Sequence, residues 1–320
     1  MSLSYQALPG RFHSPNNEDE LAGNGRDLVE GKVGRSEIVG RTLLSLAVPS
    51  GGPGGVNYSI GRLFFIVNGP YFGYHKLRND EEKQMDILGV KIDNLSKKEI
   101  SEKVGFFLEK EKFHQIVTVN PEFILEAQKD NEFKDILNGA DLNVADGAGI
   151  RFAFLRHCKL LKARIAGIDL MQEVLSLAKG DNLSVFIASY TGALSSWKEA
   201  RDAILKKYPG LHVDGMDLDT KCPSEFAVSS DILFCNFGAP HQEKFIHSLK
   251  TLNQSKIRLA MGVGGSFDFL TGKRKRAPKI LQKIGLEWLW RFCGEPKRRA
   301  KRIWNAVVIF PLKVMKSYEK

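Results

Sequence analysis

Between Asp231 and Leu270 two apolar runs of buried-strand length, residues 232–237 and 257–263, each end in a turn of small residues. The first turn is Gly238-Ala239-Pro240, followed by a helical pattern over residues 241–249; the second is Gly264-Gly265-Ser266. Glycine lets the backbone approach an anion, and the free N–H groups at a helix start can hold it. Gly238 and Gly265 are therefore candidates for a phosphate-handling rim, with Gln242, Glu243 and Lys244 in reach of a sugar or nucleotide. Glycine turns also serve simply to reverse a chain. What gives these weight is the basic, aromatic tail that follows.

The formal net charge is +10, and it is concentrated. Residues 273–320 hold fifteen Lys/Arg against three Glu, a net +12, so the preceding part is slightly acidic. A block of this kind meets phosphates: nucleic acid, anionic lipid or a diphosphate substrate. The interleaved Trp288, Trp290, Phe292 and Trp304 argue against a merely solvated helix face. At 320 residues the chain can bury a full core. No apolar run approaches the length of a membrane span, and Leu63-Phe64-Phe65-Ile66-Val67 is too short for one and lacks a signal-peptide cleavage pattern. Cys158, Cys222, Cys235 and Cys293 have no metal or disulfide spacing, which predicts a reduced, cytosolic chain.

Residues 1–84 show no sustained helical or strand period, and Gly51-Gly52-Pro53-Gly54-Gly55 breaks them further. They are expected to be a disordered or non-native leader, with a hairpin at most around residues 58–72, and to be dispensable. From Met85 the pattern changes. A strand is expected over 85–92, then a helix to Leu108 with Ser96 and Glu99 as a capping box. Strands are expected at 113–119, 142–145 and 183–189. Helices are expected at 122–129, 131–138, up to His157, 170–179 and 193–208. This alternation predicts an α/β fold with a largely parallel sheet covered on both faces. Ligands of such sheets lie beyond the strand C-termini, where Asn120, Asp146, Thr191, Gly238 and Gly265 would gather.

Several separated motifs carry a resemblance. Thr118-Val119-Asn120-Pro121-Glu122, Ala140-Asp141 through Asp146-Gly147-Ala148-Gly149, and residues 164–169 resemble the WecG/TagA/CpsF glycosyltransferase family. So do residues 237–244, residues 262–268, and the run from Arg276-Ala277-Pro278 to Gly285-Leu286-Glu287-Trp288-Leu289-Trp290-Arg291. The resemblance covers residues 85 to about 308, in order. It implies a Rossmann-like catalytic domain, over residues 85–272. The tail over 273–320 is expected to be a basic, helical, membrane-associating appendage, with cations for anionic headgroups, tryptophans for the interface and the apolar residues 307–310 dipping in. The resemblance also implies transfer of N-acetylmannosamine, its uronic acid or a related hexose from a UDP-sugar to a polyprenyl-diphosphate-linked acceptor, with inversion and without metal or cofactor. Such an enzyme would work at the inner face of the plasma membrane, in cell-surface polysaccharide or teichoic acid synthesis. A homo-oligomer is compatible with the resemblance.

The family's general base falls on Asp146, and Thr118 and Asn120 match positions lining the same cleft. Without the resemblance these are a turn aspartate, a strand-end residue and a helix cap. Arg164 resembles a substrate-binding arginine, suited to phosphate by its fixed fork; alone it reads as a surface partner for Asp169. Gln242 and Glu243 resemble UDP-sugar contacts, and Arg291 and Arg298 resemble arginines reaching a diphosphate, with Lys301 as a third cation. The chain departs from the family at Ser189-Tyr190-Thr191-Gly192, where members often have a glycine-rich turn. Tyr190 there is expected to stack on the uracil or reshape the donor site, which leaves the sugar open. Asp217 and Asp219 have the Asp-x-Asp spacing of a metal pair but read as a solvated loop, because hard cations need several converging oxygens. Two rival classes remain at this stage: a nucleic-acid-binding protein using the basic tail, and an inactive membrane-bound scaffold.

Overall fold

Short runs of Val, Ile, Leu and Phe, apolar at nearly every position, become strands buried on both faces. The computed structural model describes residues 83–219, 228–252 and 256–317, apart from the side chains of Leu252 and Arg298. These residues belong to one unit, Tyr71–Lys320. Most of the expected leader, including the hairpin at 58–72, lies outside the described residues.

In chain order the elements are β1 (Gln84–Ile87), β2 (Val90–Asp93), α1 (Lys97–Glu109), β3 (His114–Val119), α2 (Pro121–Ala127), α3 (Asn131–Asn138) and β4 (Leu142–Ala145). Then come α4 (Ala148–Arg156), α5 (Gly167–Gly180), β5 (Val185–Tyr190), α6 (Trp197–Lys207), β6 (Val213–Leu218), β7 (Ile232–Cys235), α7 (His241–Leu252) and β8 (Leu259–Gly262). The chain continues through α8 (Ser266–Leu270), α9 (Lys279–Ile284), α10 (Glu287–Gly294) and α11 (Pro296–Trp304). A π-helical turn (Asn305–Ile309) and α12 (Phe310–Ser317) follow. Strands β3 to β8 form one six-stranded parallel sheet in the order β4-β3-β8-β7-β5-β6.

Successive residues of each strand serve opposite faces. Ile116, Ile187, Phe234 and Met261 pack in one core with helices α1 and α5. Val117, Val119 and Ala145 face a second core with α2, α3 and α4. Leu233, Cys235 and Ala260 share a third with Phe245 and Ile246 of α7. The parallel sheet covered on both faces that the alternation predicts is therefore present, as is the Rossmann-like layering that the resemblance implies, and so is the helical C-terminus. The capping box of α1 is also as expected, with Glu99 N donating to Ser96 Oγ and Ser96 N to Glu99 Oε2.

Three local expectations are corrected. The strand expected over 85–92 is a hairpin, β1 with β2. Leu88 and Gly89 reverse the chain at φ 54° and 80°, and Gly89 N–H donates to Asp86. The loop expected at Asp217-Leu218 is the end of edge strand β6, whose residues alternate between half-buried and exposed along most of its length. Asp217 accepts from Trp197 N at 2.9 Å, at the first turn of α6, so its carboxylate serves the helix start. That helix begins at Trp197 rather than at 193, because Ser196 and Glu199 form a second capping box.

Candidate active site

The parallel order brings the ends of β3, β4, β5, β7 and β8 to one rim, and the C-terminal helices close over it. β3 leads directly into Asn120, whose side-chain oxygen accepts from Glu122 N and Phe123 N and caps α2. β4 ends beside it, since Val119 and Ala145 are register partners and Asp146 N donates to Val119 O. Gly147 then takes φ +89°, a conformation that favours glycine, and opens α4. A Cβ on Gly149 would stand 2.4 Å from Pro121, so the two turns are packed against each other.

Two cavities meet at this rim. The larger, about 1110 Å³, runs over the glycine turns and is bordered by Thr118, Tyr190, Gly238, Gln242 and Gly265. The smaller, about 380 Å³, has a more apolar wall that includes Phe152, Trp288, Ile303, Val307 and Pro311. Asn120, Glu122, Asp146, Arg291, Arg299 and Arg302 border both. Asp146 thus stands where a polar and an apolar chamber join. Burial pushes its carboxyl up to about 6, with Glu287 adding to the rise. Arg291, Arg164 and the Gly167 N–H act in the opposite direction.

Polar bonds hold the floor of the larger chamber. Gln242 Oε1 accepts from Gly238 N at 3.1 Å and from Gly264 N at 3.2 Å, so one amide joins the turns after β7 and β8. Tyr190 N donates to Asn236 Oδ1, and Asn236 Nδ2 donates to Ser189 Oγ. The Tyr190 ring lies against Gly192, where a Cβ would come within 2.4 Å of it. Ser195 Oγ donates to Asp268 Oδ1, and Arg274 spans Asp268 and Glu295.

Most of the residues singled out in the sequence come together here, with three qualifications. Arg164 borders the smaller chamber and donates to Gln282 O at 2.6 Å; Asp169 pairs with Arg276 instead. Glu243 borders neither chamber. It is 1% exposed behind Gln242, because α7 turns it to the sheet side, so the expected direct UDP-sugar contact is corrected. Arg298 lies on α11 with its side chain outside the described set, and Lys301 is exposed. The α11 cations that border both chambers are Arg299 and Arg302. Sequence reading passed over them, although the run Arg298-Arg299-Ala300-Lys301-Arg302 held the signal. Helical phase selects within such a run, and the phase depends on where α11 docks.

The tail arginines that border the chambers are held by carboxylates. Arg291 pairs with Glu287, Arg299 with Glu295, and Arg302 with Glu122 of α2. Phe310 and Val314 of α12 are fully buried in the second core. The tail residues 307–310, expected as a membrane-dipping segment, are corrected at Phe310, which α12 sets into the core beside Gly149. Among the described residues no group of three His, Cys, Asp or Glu could hold a metal ion, and no helix is long and apolar enough to cross a membrane.

A family model described as "Glycosyl transferase WecG/TagA/CpsF family" matches residues 85–320. Two curated relatives, from Staphylococcus aureus strains MRSA252 and MW2, are each 32% identical over 245 residues, covering 74% of this chain and 94% of theirs. Both are named N-acetylglucosaminyldiphosphoundecaprenol N-acetyl-beta-D-mannosaminyltransferase. With the separated motifs gathered at one rim and the match running from the first hairpin through the tail, this chain belongs to the WecG/TagA/CpsF glycosyltransferase family.

Proposed function

We propose that this glycosyltransferase moves an N-acetylmannosaminyl group, or a close relative of it, from a UDP-sugar to a polyprenyl-diphosphate-linked N-acetylglucosamine. The carrying observation is the place of Asp146 at the junction of a polar and an apolar chamber. The polar chamber, floored by glycine turns, suits the nucleotide diphosphate. The apolar chamber suits an acceptor that arrives on a lipid. The relatives' names support both the acceptor and the transferred group.

In the inverting step, the Asp146 carboxylate takes the proton of the acceptor hydroxyl. The freed oxygen pair forms the new bond to the anomeric carbon, while that carbon's bond to the UDP oxygen breaks on the opposite face. Negative charge passes to the departing diphosphate. Arg291, Arg299 and Arg302 can exchange their carboxylate partners for its oxygens. Thr118 and Asn120 shape the wall beside Asp146, and Tyr190 offers a ring for the uracil. The appendage brings these arginines to the inner membrane face, where the acceptor resides.

The test is product analysis by mass spectrometry, with a panel of UDP-sugars and a short-chain polyprenyl-diphosphate acceptor. UDP-N-acetylmannosamine is expected to give a disaccharide lipid with inverted anomeric configuration. Absence of product with every donor, or retention of configuration, overturns the reading.

A further inference from the structure

Glu243 lies directly beneath the amide that joins the two glycine turns. Gln242 Nε2 donates to Glu243 Oε1 at 2.6 Å, while Gln242 Oε1 receives Gly238 N and Gly264 N. The second carboxyl oxygen, Oε2, is buried and makes no hydrogen bond among the described residues. Among the described residues no cation pairs with this carboxyl. Its neighbour Lys244 is held by Asp130 and Glu132. A buried carboxylate with one neutral donor is costly, whereas the protonated acid keeps the useful acceptor and loses the charge.

We propose that Glu243 is a positioning residue for the donor's nucleoside diphosphate, acting as a neutral carboxylic acid that holds the Gln242 amide in the orientation joining both turns. The inference rests on the reading of the larger chamber as the donor site. The geometry explains why a glutamate stands where no positive partner does. If the amide turned over, its NH₂ would face the two backbone N–H donors, leaving all of them unpaired. Gly262 restrains the same amide from the strand side, since a Cβ there would lie 2.3 Å from Nε2.

Burial pushes the Glu243 carboxyl up to about 8, with the Gln242 amide acting against the rise. Ionisation therefore belongs to mildly alkaline pH. It places a negative charge under the turns that are to meet a diphosphate, in a setting that salt screens poorly. Of the elements packed around this side chain, β7 presents the Cys235 thiol, itself pushed up by burial. β8 carries no titratable residue, and β3 contributes Gln115, while its His114 is paired to Asp141 and stacked on Phe107. On the α3 side, Glu132 and the preceding Asp130 are engaged by Lys244.

The experiment compares the full chain with its Glu243→Gln variant, using UDP as the probe. Calorimetric titration at pH 7 is expected to give equal affinities. At pH 9 the wild type is expected to bind UDP about tenfold more weakly than at pH 7, a change the variant lacks. Titration of the uracil ring or of Cys235 affects both proteins and cancels in the comparison. An identical pH dependence in the two proteins overturns the positioning role while leaving the donor site standing. Failure of the wild type to bind UDP at pH 7 overturns the donor reading and the role built on it. Urea midpoints decide the protonation state without UDP. A folded carboxyl titrating near 8 and an unfolded one near the ordinary value make wild-type stability fall relative to the variant as pH rises toward 8. Above that the gap is constant. A gap that does not change between pH 5 and pH 8 overturns the neutral acid.

Discussion

Arg302 grips the carboxylate of Glu122 with two nitrogens, Nε approaching one oxygen at 2.8 Å and the other at 2.9 Å. The contact fastens α11 across the site to the first turn of α2, and both residues border both chambers. Arg302 is about 60% exposed, and an ion pair so open to water contributes only about 0–1 kcal/mol to folding. Arg302→Ala is therefore expected to leave the melting temperature nearly unchanged and to lower transfer by at least tenfold through loss of diphosphate contact. Parallel melting and transfer assays check this. Equal, small effects on both reduce the pair to a surface contact.

Asp146→Asn separates chemistry from folding. The side chain keeps its shape and loses its basicity, so turnover is expected to fall by about 10²–10⁴ while UDP still binds. Stability should move the other way. With the folded carboxyl near 6 and an unfolded one near the ordinary value, the folded state keeps a proton the unfolded state has lost, so stability falls as pH rises toward 6 and levels off above. At pH 7 the variant escapes this cost and should unfold at higher urea. Wild-type turnover in the variant removes Asp146 from the mechanism.

The same ionisation sets the acid side of the rate profile. A base must be deprotonated, so kcat/KM is expected to decline as pH falls through about 6, not through the ordinary aspartate range. A profile flat down to pH 5 contradicts the assignment.

Gly262→Ala tests the floor of the larger chamber as the proposed donor site. The new Cβ would meet Gln242 Nε2 at 2.3 Å, and that amide is held by both glycine turns and Glu243. Crowding of this kind destabilises by about 1–3 kcal/mol. The donor KM is expected to rise more than kcat falls, which donor titrations at saturating acceptor will show. An unchanged donor KM separates the turns from donor binding.

Much of this site was legible in the sequence, for physical reasons that differ by residue. Asn120, Asp146 and Gly238 follow strands whose apolar runs are unambiguous, so their place on the rim follows from the α/β alternation. Strand β6 was hidden because an edge strand is half-wetted, and its end at Asp217 read as loop. Glu243 was misplaced because neighbouring helical residues differ by about 100° in direction, and only the packing of α7 shows that Gln242 meets the chamber. Arg299 and Arg302 were obscured by the same phase problem within a run of cations. The burial of Phe310 depends on a contact with α2 and α4, distant in sequence, which no local period reveals.

The last prediction separates membrane docking from folding within the tail. Exposed apolar side chains are plentiful on the C-terminal helices: Ile280 and Ile284 on α9, Leu289 and Trp290 on α10, Trp304 on α11, and Leu312 and Met315 on α12. Interleaved cations would each add about 1 kcal/mol near an anionic surface, so a few apolar anchors suffice for reversible binding. Ile280 is 72% exposed and Trp304 59%, so Ile280→Glu with Trp304→Glu removes two anchors without opening the core. This double variant is expected to lose most binding to anionic vesicles in sedimentation, while keeping transfer to a soluble acceptor analogue. Phe310→Asp is the contrast. That ring is fully buried against the second core, and an unpaired carboxyl there should lower the melting temperature sharply and abolish transfer to both acceptors. Vesicle binding unchanged in the double variant shows that these helices serve only to hold the arginines over Asp146.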